Sequence, residues 1–228
     1  MAFPDLRPRE ASWVLTNALG ILETTGLTPA MVALDAMEKS AAIRVLQAEI
    51  NDLLGVCIKV LGPTAAVATA IEAGRAVAEQ MGARPITDII NHPDREAWKA
   101  IESPREFNPL IQQDVVTVPD DEPVRLSRGR EETTVSDPSQ FALGFIETQG
   151  FTAVFEAIDS ACKAGNVEVL GKEKLGGGYV TVVIKGDVAA VKAAIEAGRT
   201  RVDGLGKLIA AHVIARPSPS VLGLLPKM

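Results

Sequence analysis

The chain has 228 residues, 47% of them hydrophobic but only 4% aromatic, and carries a net charge of −6. That acidic balance argues against a general affinity for nucleic acid or for anionic membrane, and no run reaches the roughly 18 apolar residues of a membrane span. The apolar excess is aliphatic, and small domains with such a surplus often complete their burial by associating.

Residues 1–17 read as an N-terminal extension. MAFPDLRPREASW puts charges and prolines where a signal peptide carries its apolar core, so a cytoplasmic location is expected. An apolar run over 18–22 predicts a strand. It ends at Glu23-Thr24-Thr25-Gly26, after which Thr28 before Pro29 predicts a helix N-cap. Ala30, Ala33, Leu34, Met37 and Ala41 continue at helical spacing, and Lys39 suits the helix dipole at the end. Strands over 43–50 and 56–61 flank Asn51-Asp52-Leu53-Leu54-Gly55 and predict a hairpin. Val67, Ala70, Ile71, Gly74, Val77 and Ala78 form the stripe of a second helix. A last strand over 86–90 runs out before Asn91-His92-Pro93. Residues 99–140 are rich in Pro, Asp, Glu, Arg and Ser and read as a linker, with a brief extended piece at 115–118.

The pattern then starts again. ALGILETTG from Ala18 recurs as ALGFIETQG from Ala142, and this offset of 124 residues holds without a gap through IEAGR to Pro93 and Pro217. Two copies of one compact unit are expected, 18–98 and 141–222, followed by a tail at 223–228. In the second copy the strands fall at 142–146, 167–175, 179–184 and 208–214. Thr152 is the predicted cap of its first helix, which ends at Lys163, and Asp187 the cap of its second. The order β-α-β-β-α-β predicts an α+β chain of two tandem ferredoxin-like domains, each a four-stranded antiparallel sheet with both helices on one face.

No catalytic set emerges. His92 and His212 have no cysteine or paired carboxylate at ligand spacing, so no metal, no cofactor and no enzymatic activity are expected. Glu23 and Glu147, and likewise Asp35 and Asp159, are duplicated beside helix ends or helical faces, where capping or an interface contact explains them better than acid–base chemistry. Cys57 and Cys162 lie in apolar segments and read as small buried hydrophobes of a reducing compartment. Gly176-Gly177-Gly178 lacks the GK[ST] ending of a phosphate loop and is followed by a strand. It is either a flexible turn or a place where backbone approaches backbone around a symmetry axis.

ALGFIETQG, DSACKAGNV, KLGGGYVTVVIKGDVAAVKAAIEAGR and HVIARP together resemble a bacterial microcompartment shell domain, over about 142–221. The first copy is similar over about 18–98 through ALGILETTG, DAMEKSAA and IEAGR, and both run in the unpermuted order. The whole chain resembles the tandem-domain class. This resemblance implies a homotrimer imitating a hexamer, which tiles with hexameric and pentameric shell proteins around encapsulated enzymes. It implies a pore lined by the hairpin between the second and third strands of each copy, here Asn51, Asp52, Leu53 and Leu54 with Gly176, Gly177 and Gly178. It places Lys39, Lys163 and Arg216 at the tile edge, with His92 standing where the first copy would carry the arginine. Some tandem relatives hold an iron–sulfur cluster on a pore cysteine. Neither hairpin has one here, so no cluster is expected. A ferredoxin-like, small-molecule-binding regulatory trimer is the alternative.

Overall fold

The computed structural model describes residues 17–51, 54–119 and 141–225. The first copy runs β1 (Ala18–Thr25), α1 (Leu27–Ser40), β2 (Arg44–Asn51), β3 (Gly55–Gly62), α2 (Thr64–Gln80) and β4 (Ile86–Ile90). Next come a short α3 (Trp98–Ile101), β5 (Glu106–Asn108) and β6 (Gln113–Thr117). The second copy runs β7 (Ala142–Gln149), α4 (Phe151–Ala164), β8 (Glu168–Gly176), β9 (Tyr179–Gly186), α5 (Val188–Arg199), β10 (Lys207–Ala215) and a short α6 (Pro219–Gly223). No helix among the described residues is long and apolar enough to cross a membrane.

The second sheet has the order β10-β7-β9-β8, antiparallel throughout, as the sequence pattern predicts. The first repeats it as β4-β1-β3-β2 but gains two strands, because β6 pairs with the edge of β2 and β5 with β6. The segment after the first copy is therefore not plain linker over its described part. Its extended piece lies at 113–117, and it relieves the exposed edge of β2.

Side chains alternate across each sheet. In the second, Ala142, Ile146, Val182 and Ile184 face α4 and α5 and share a core with Val154, Ala157, Ala161, Val191 and Ala194. Leu143, Phe145, Val183 and Ile214 belong instead to the core that contains α1 of the first copy and Val221. The outer face of the second sheet is thus covered by the first copy. On the first sheet, Leu19 and Leu61 are covered by Trp98, which is only 1% exposed. Lys59 holds that cover down by pairing with Glu49 at 2.6 Å and donating to the Ile101 carbonyl, while Gln47 bonds the backbone of Ser103 in both directions.

The helix starts differ from expectation. Helices α1 and α4 begin one residue before Thr28 and Thr152, after Gly26 and Gly150, and have no side-chain cap from their own segment. Asp187 does cap α5, accepting from the Ala190 amide at 2.8 Å. Cys57 is half-buried, and burial pushes its thiol up to about 11. Cys162 is exposed, because it occupies the outer face of α4, the position of Glu38 in the first copy.

Candidate functional site

Two places concentrate polar groups of both copies: the junction between them and the point where their hairpins meet. At the junction, α1 lies on the outer face of the second sheet. Its first two amides, Leu27 and Thr28, donate to Oε1 and Oε2 of Glu147, each at 2.8 Å. Glu147 is fully buried on β7, so the cap missing from the local sequence comes from the other copy. Burial raises its carboxyl above the ordinary range, and the amides of Thr28 and Leu27 oppose that rise by favouring the charged form. Gly26 permits this approach: its φ is +84°, and a Cβ there would sit 3.2 Å from Glu147 Oε2.

The other end of α1 is tied down as well. Asp35 accepts from the Ser218 amide at 2.9 Å, and Glu38 accepts from the Ser220 amide at 3.2 Å and its hydroxyl at 2.6 Å. Lys39 pairs with Asp35 at 2.6 Å and donates to the Ala215 carbonyl at 3.2 Å. Lys39 therefore sits against the backbone beside Arg216, which is itself exposed with a φ of +52°. Lys163 repeats the internal pairing, with Asp159 at 2.5 Å, but its side chain is 74% exposed. It borders an open groove of about 320 Å³ with Ser160, Thr200 and Arg201. His92 is exposed next to the buried Pro93. His212 lies within β10, half-buried, where burial lowers its pKa and Asp35 of α1 opposes the shift.

The hairpins are anchored alike. The Gly26 amide donates to the Leu54 carbonyl at 2.8 Å, and the Gly150 amide to the Gly178 carbonyl at 2.9 Å. Asn51 bonds the Gly55 amide at 2.9 Å and donates to Glu23 Oε1 at 2.5 Å. The two hairpins touch: a Cβ on Gly177, whose φ is +54°, would lie 2.8 Å from a Leu54 methyl. Leu54 is thus brought to Gly177, with Gly176 and Gly178 beside it. Asp52 and Leu53 lie outside the described residues.

One contact of this region escaped the sequence reading. Gln113, from β6, clamps the backbone of Lys174 on β8, donating to its carbonyl at 2.7 Å and accepting from its amide at 2.8 Å. Beside it Glu173 is pushed up to about 7, first by burial and then by Asp114, against the opposing charge of Lys174. Only the alternation of QDVVT signalled this strand, and nothing local signalled where it docks. Among the described residues no group of three or more His, Cys, Asp or Glu side chains could hold a metal.

A family model described as the BMC domain matches residues 18–92 and again 142–217. The chain belongs to the microcompartment shell protein family. It carries the family's domain twice, and each copy has the family's α+β fold. The bacterial microcompartment shell protein PduA of Citrobacter freundii is 50% identical over 88 residues, covering 39% of this chain and 95% of that protein, so it corresponds to a single copy. The major carboxysome shell protein CsoS1A of Halothiobacillus neapolitanus is 44% identical over 94 residues, 41% of this chain and 96% of its own. A solved microcompartment protein of Desulfitobacterium hafniense aligns over 89% of this chain and 96% of its own, with 23% identity and a TM-score of 0.34.

Proposed function

We propose that three chains close head to tail into a pseudohexameric ring, which tiles with other shell proteins into the facets of a cytoplasmic microcompartment. The domains of this reading are 18–98 and 141–222, and its role is structural rather than catalytic. One observation carries it. The junction within the chain joins two different surfaces, the outer face of α1 and the outer face of the second sheet, and a head-to-tail contact generates a ring when its rotation closes.

The counterpart of the α1 face is open to a neighbour, and so is the first sheet around Ile86, beyond the cover that Trp98 gives Leu19 and Leu61. Leu27 and Met31, 8% and 3% exposed in the junction, correspond to Phe151 and Phe155 on α4, which are 43% and 49% exposed. Sedimentation at micromolar concentration should give three chains, and a monomer or dimer would overturn the ring.

In such a ring the two kinds of hairpin alternate around a central opening for small metabolites. The contact of Leu54 with Gly177 supports this, since it brings unlike loops together at one corner of the chain. A pore selects by diameter, lining dipoles and charge. Gly177→Trp should therefore cut the flux of a small polar solute into shells in which this protein supplies most of the permeability, and Leu54→Gly should raise it. Unchanged flux in both, with assembly intact, would reject the conduit.

The tile edge of this reading comprises Lys39, Lys163, Arg216 and His92. Lys163→Ala removes a solvated charge, so it should change stability by less than about 0.5 kcal/mol. It should leave the trimer intact and reduce sheet formation seen by electron microscopy. Loss of the trimer itself would move Lys163 from the edge to the ring interface.

A further inference from the structure

The junction inside the chain has a counterpart that the chain cannot complete alone. On β1, Glu23 holds the same register position that Glu147 holds on β7: it faces Cys57 and Ile86, as Glu147 faces Thr181 and Ala210. We propose that Glu23 clasps a second copy of this chain, its carboxylate receiving the Phe151 and Thr152 amides at the start of that copy's α4. This rests on the ring reading and names the contact that would hold the ring shut.

Three features support the assignment. Helix α4 is 14 residues long, begins after Gly150 without a side-chain cap, and among the described residues nothing accepts from the amides of Phe151 and Thr152. Such amides at a helix start carry partial positive charge and suit a carboxylate. Next, Ile86 beside Glu23 is 69% exposed, whereas its counterpart Ala210 beside Glu147 is only 8% exposed under α1. Phe151 and Phe155 are exposed on the helix that would cover it. The apolar part of the contact is therefore present on both sides.

The third feature is Asn51. Its amide donates to Glu23 Oε1 at 2.5 Å, giving the half-buried carboxylate a partner before a neighbour arrives. The second copy has Leu175 at this position, which cannot do so, and there the carboxylate already holds a helix. Asn51 thus serves the unassembled chain, and the clasp itself does not need it.

Hydrogen exchange on the wild-type protein reads the contact directly. In the trimer, amides 151 and 152 should exchange at least about tenfold more slowly than in diluted single chains. Amides 27 and 28 should be protected in both. Glu23→Ala should raise the dissociation constant between chains about tenfold or more, with Glu23→Gln as the milder variant, and Asn51→Leu should leave it within about threefold. Unprotected amides 151 and 152 in an intact trimer, or wild-type assembly by Glu23→Ala, would overturn the clasp and spare the ring. Loss of assembly by Asn51→Leu as large as that by Glu23→Ala would also overturn it, since the hairpin would then carry the contact. A wild-type protein that sediments as a single chain at all concentrations would overturn both.

Discussion

Glu147→Ala is expected to lower the free energy of unfolding by about 3 kcal/mol, since it strips two buried amides of their acceptor. The carboxylate is fully buried between the copies and fills both bonds with α1 amides at 2.8 Å. A small side chain there leaves Leu27 and Thr28 with no replacement, because Gly26 offers no side-chain oxygen. Water could rescue the amides only by entering the junction, which would separate α1 from β7. Urea unfolding should therefore show either a lower midpoint or a split into two transitions, one for each copy. Glu147→Gln keeps one acceptor and should lose roughly half as much. A single unshifted transition for Glu147→Ala would mean that the junction is held by its apolar contacts and the clamps at Ser218 and Ser220 alone.

The same residue explains what the sequence could and could not disclose. The repeat, the strand and helix order, the Asp187 cap and both hairpins are local patterns, each written within a few consecutive residues, and all are read correctly. Thr28 and Thr152 mislead because the cap position lies two residues earlier, at Gly26 and Gly150. A glycine with positive φ starts each helix earlier and leaves the threonine in the first turn. The real cap of α1 stands 120 positions away, where no local rule can find it. Cys162 misleads for a related reason: its apolar neighbours suggest burial, but it lies on the exposed outer face of α4. Lys39 and Lys163 are equivalent in sequence and unequal in structure, since only Lys39 has a sheet end beside it to receive a second bond. The docking of β6 on β2 rests on a short non-local register, Ala48 with Thr117 and Glu49 with Val116. Composition alone reads that stretch as linker.

Glu173 should make the stability of the chain fall as pH rises from about 4.5 to about 7, in the same direction as Glu147, whose buried carboxyl is also raised. The Glu173 carboxyl is moved from the ordinary 4.5 up to about 7, chiefly by burial, further by the charge of Asp114, and with Lys174 acting against both. Between those two values the folded chain keeps a proton that the unfolded chain has lost. The stabilising contribution is therefore complete below about pH 4.5 and gone once the pH has passed about 7. A displacement of this size is worth on the order of 3 kcal/mol at most. Glu173→Gln mimics the protonated form at every pH. It should make the profile shallower than that of the wild type and be the more stable protein at pH 8, with little difference at pH 5. Asp114→Asn removes the repulsion but not the burial, so it should move the fall to lower pH without abolishing it. Because Gln113 clamps the neighbouring Lys174 backbone, the group that ionises lies where the segment from the first copy is fastened to the second. Proteolysis of that segment should accordingly be faster at pH 8 than at pH 6 in the wild type, and equal at the two pH values in Glu173→Gln once protease activity is normalised. A stability profile that is flat in the wild type, or one unchanged by Glu173→Gln, would remove Glu173 as its cause.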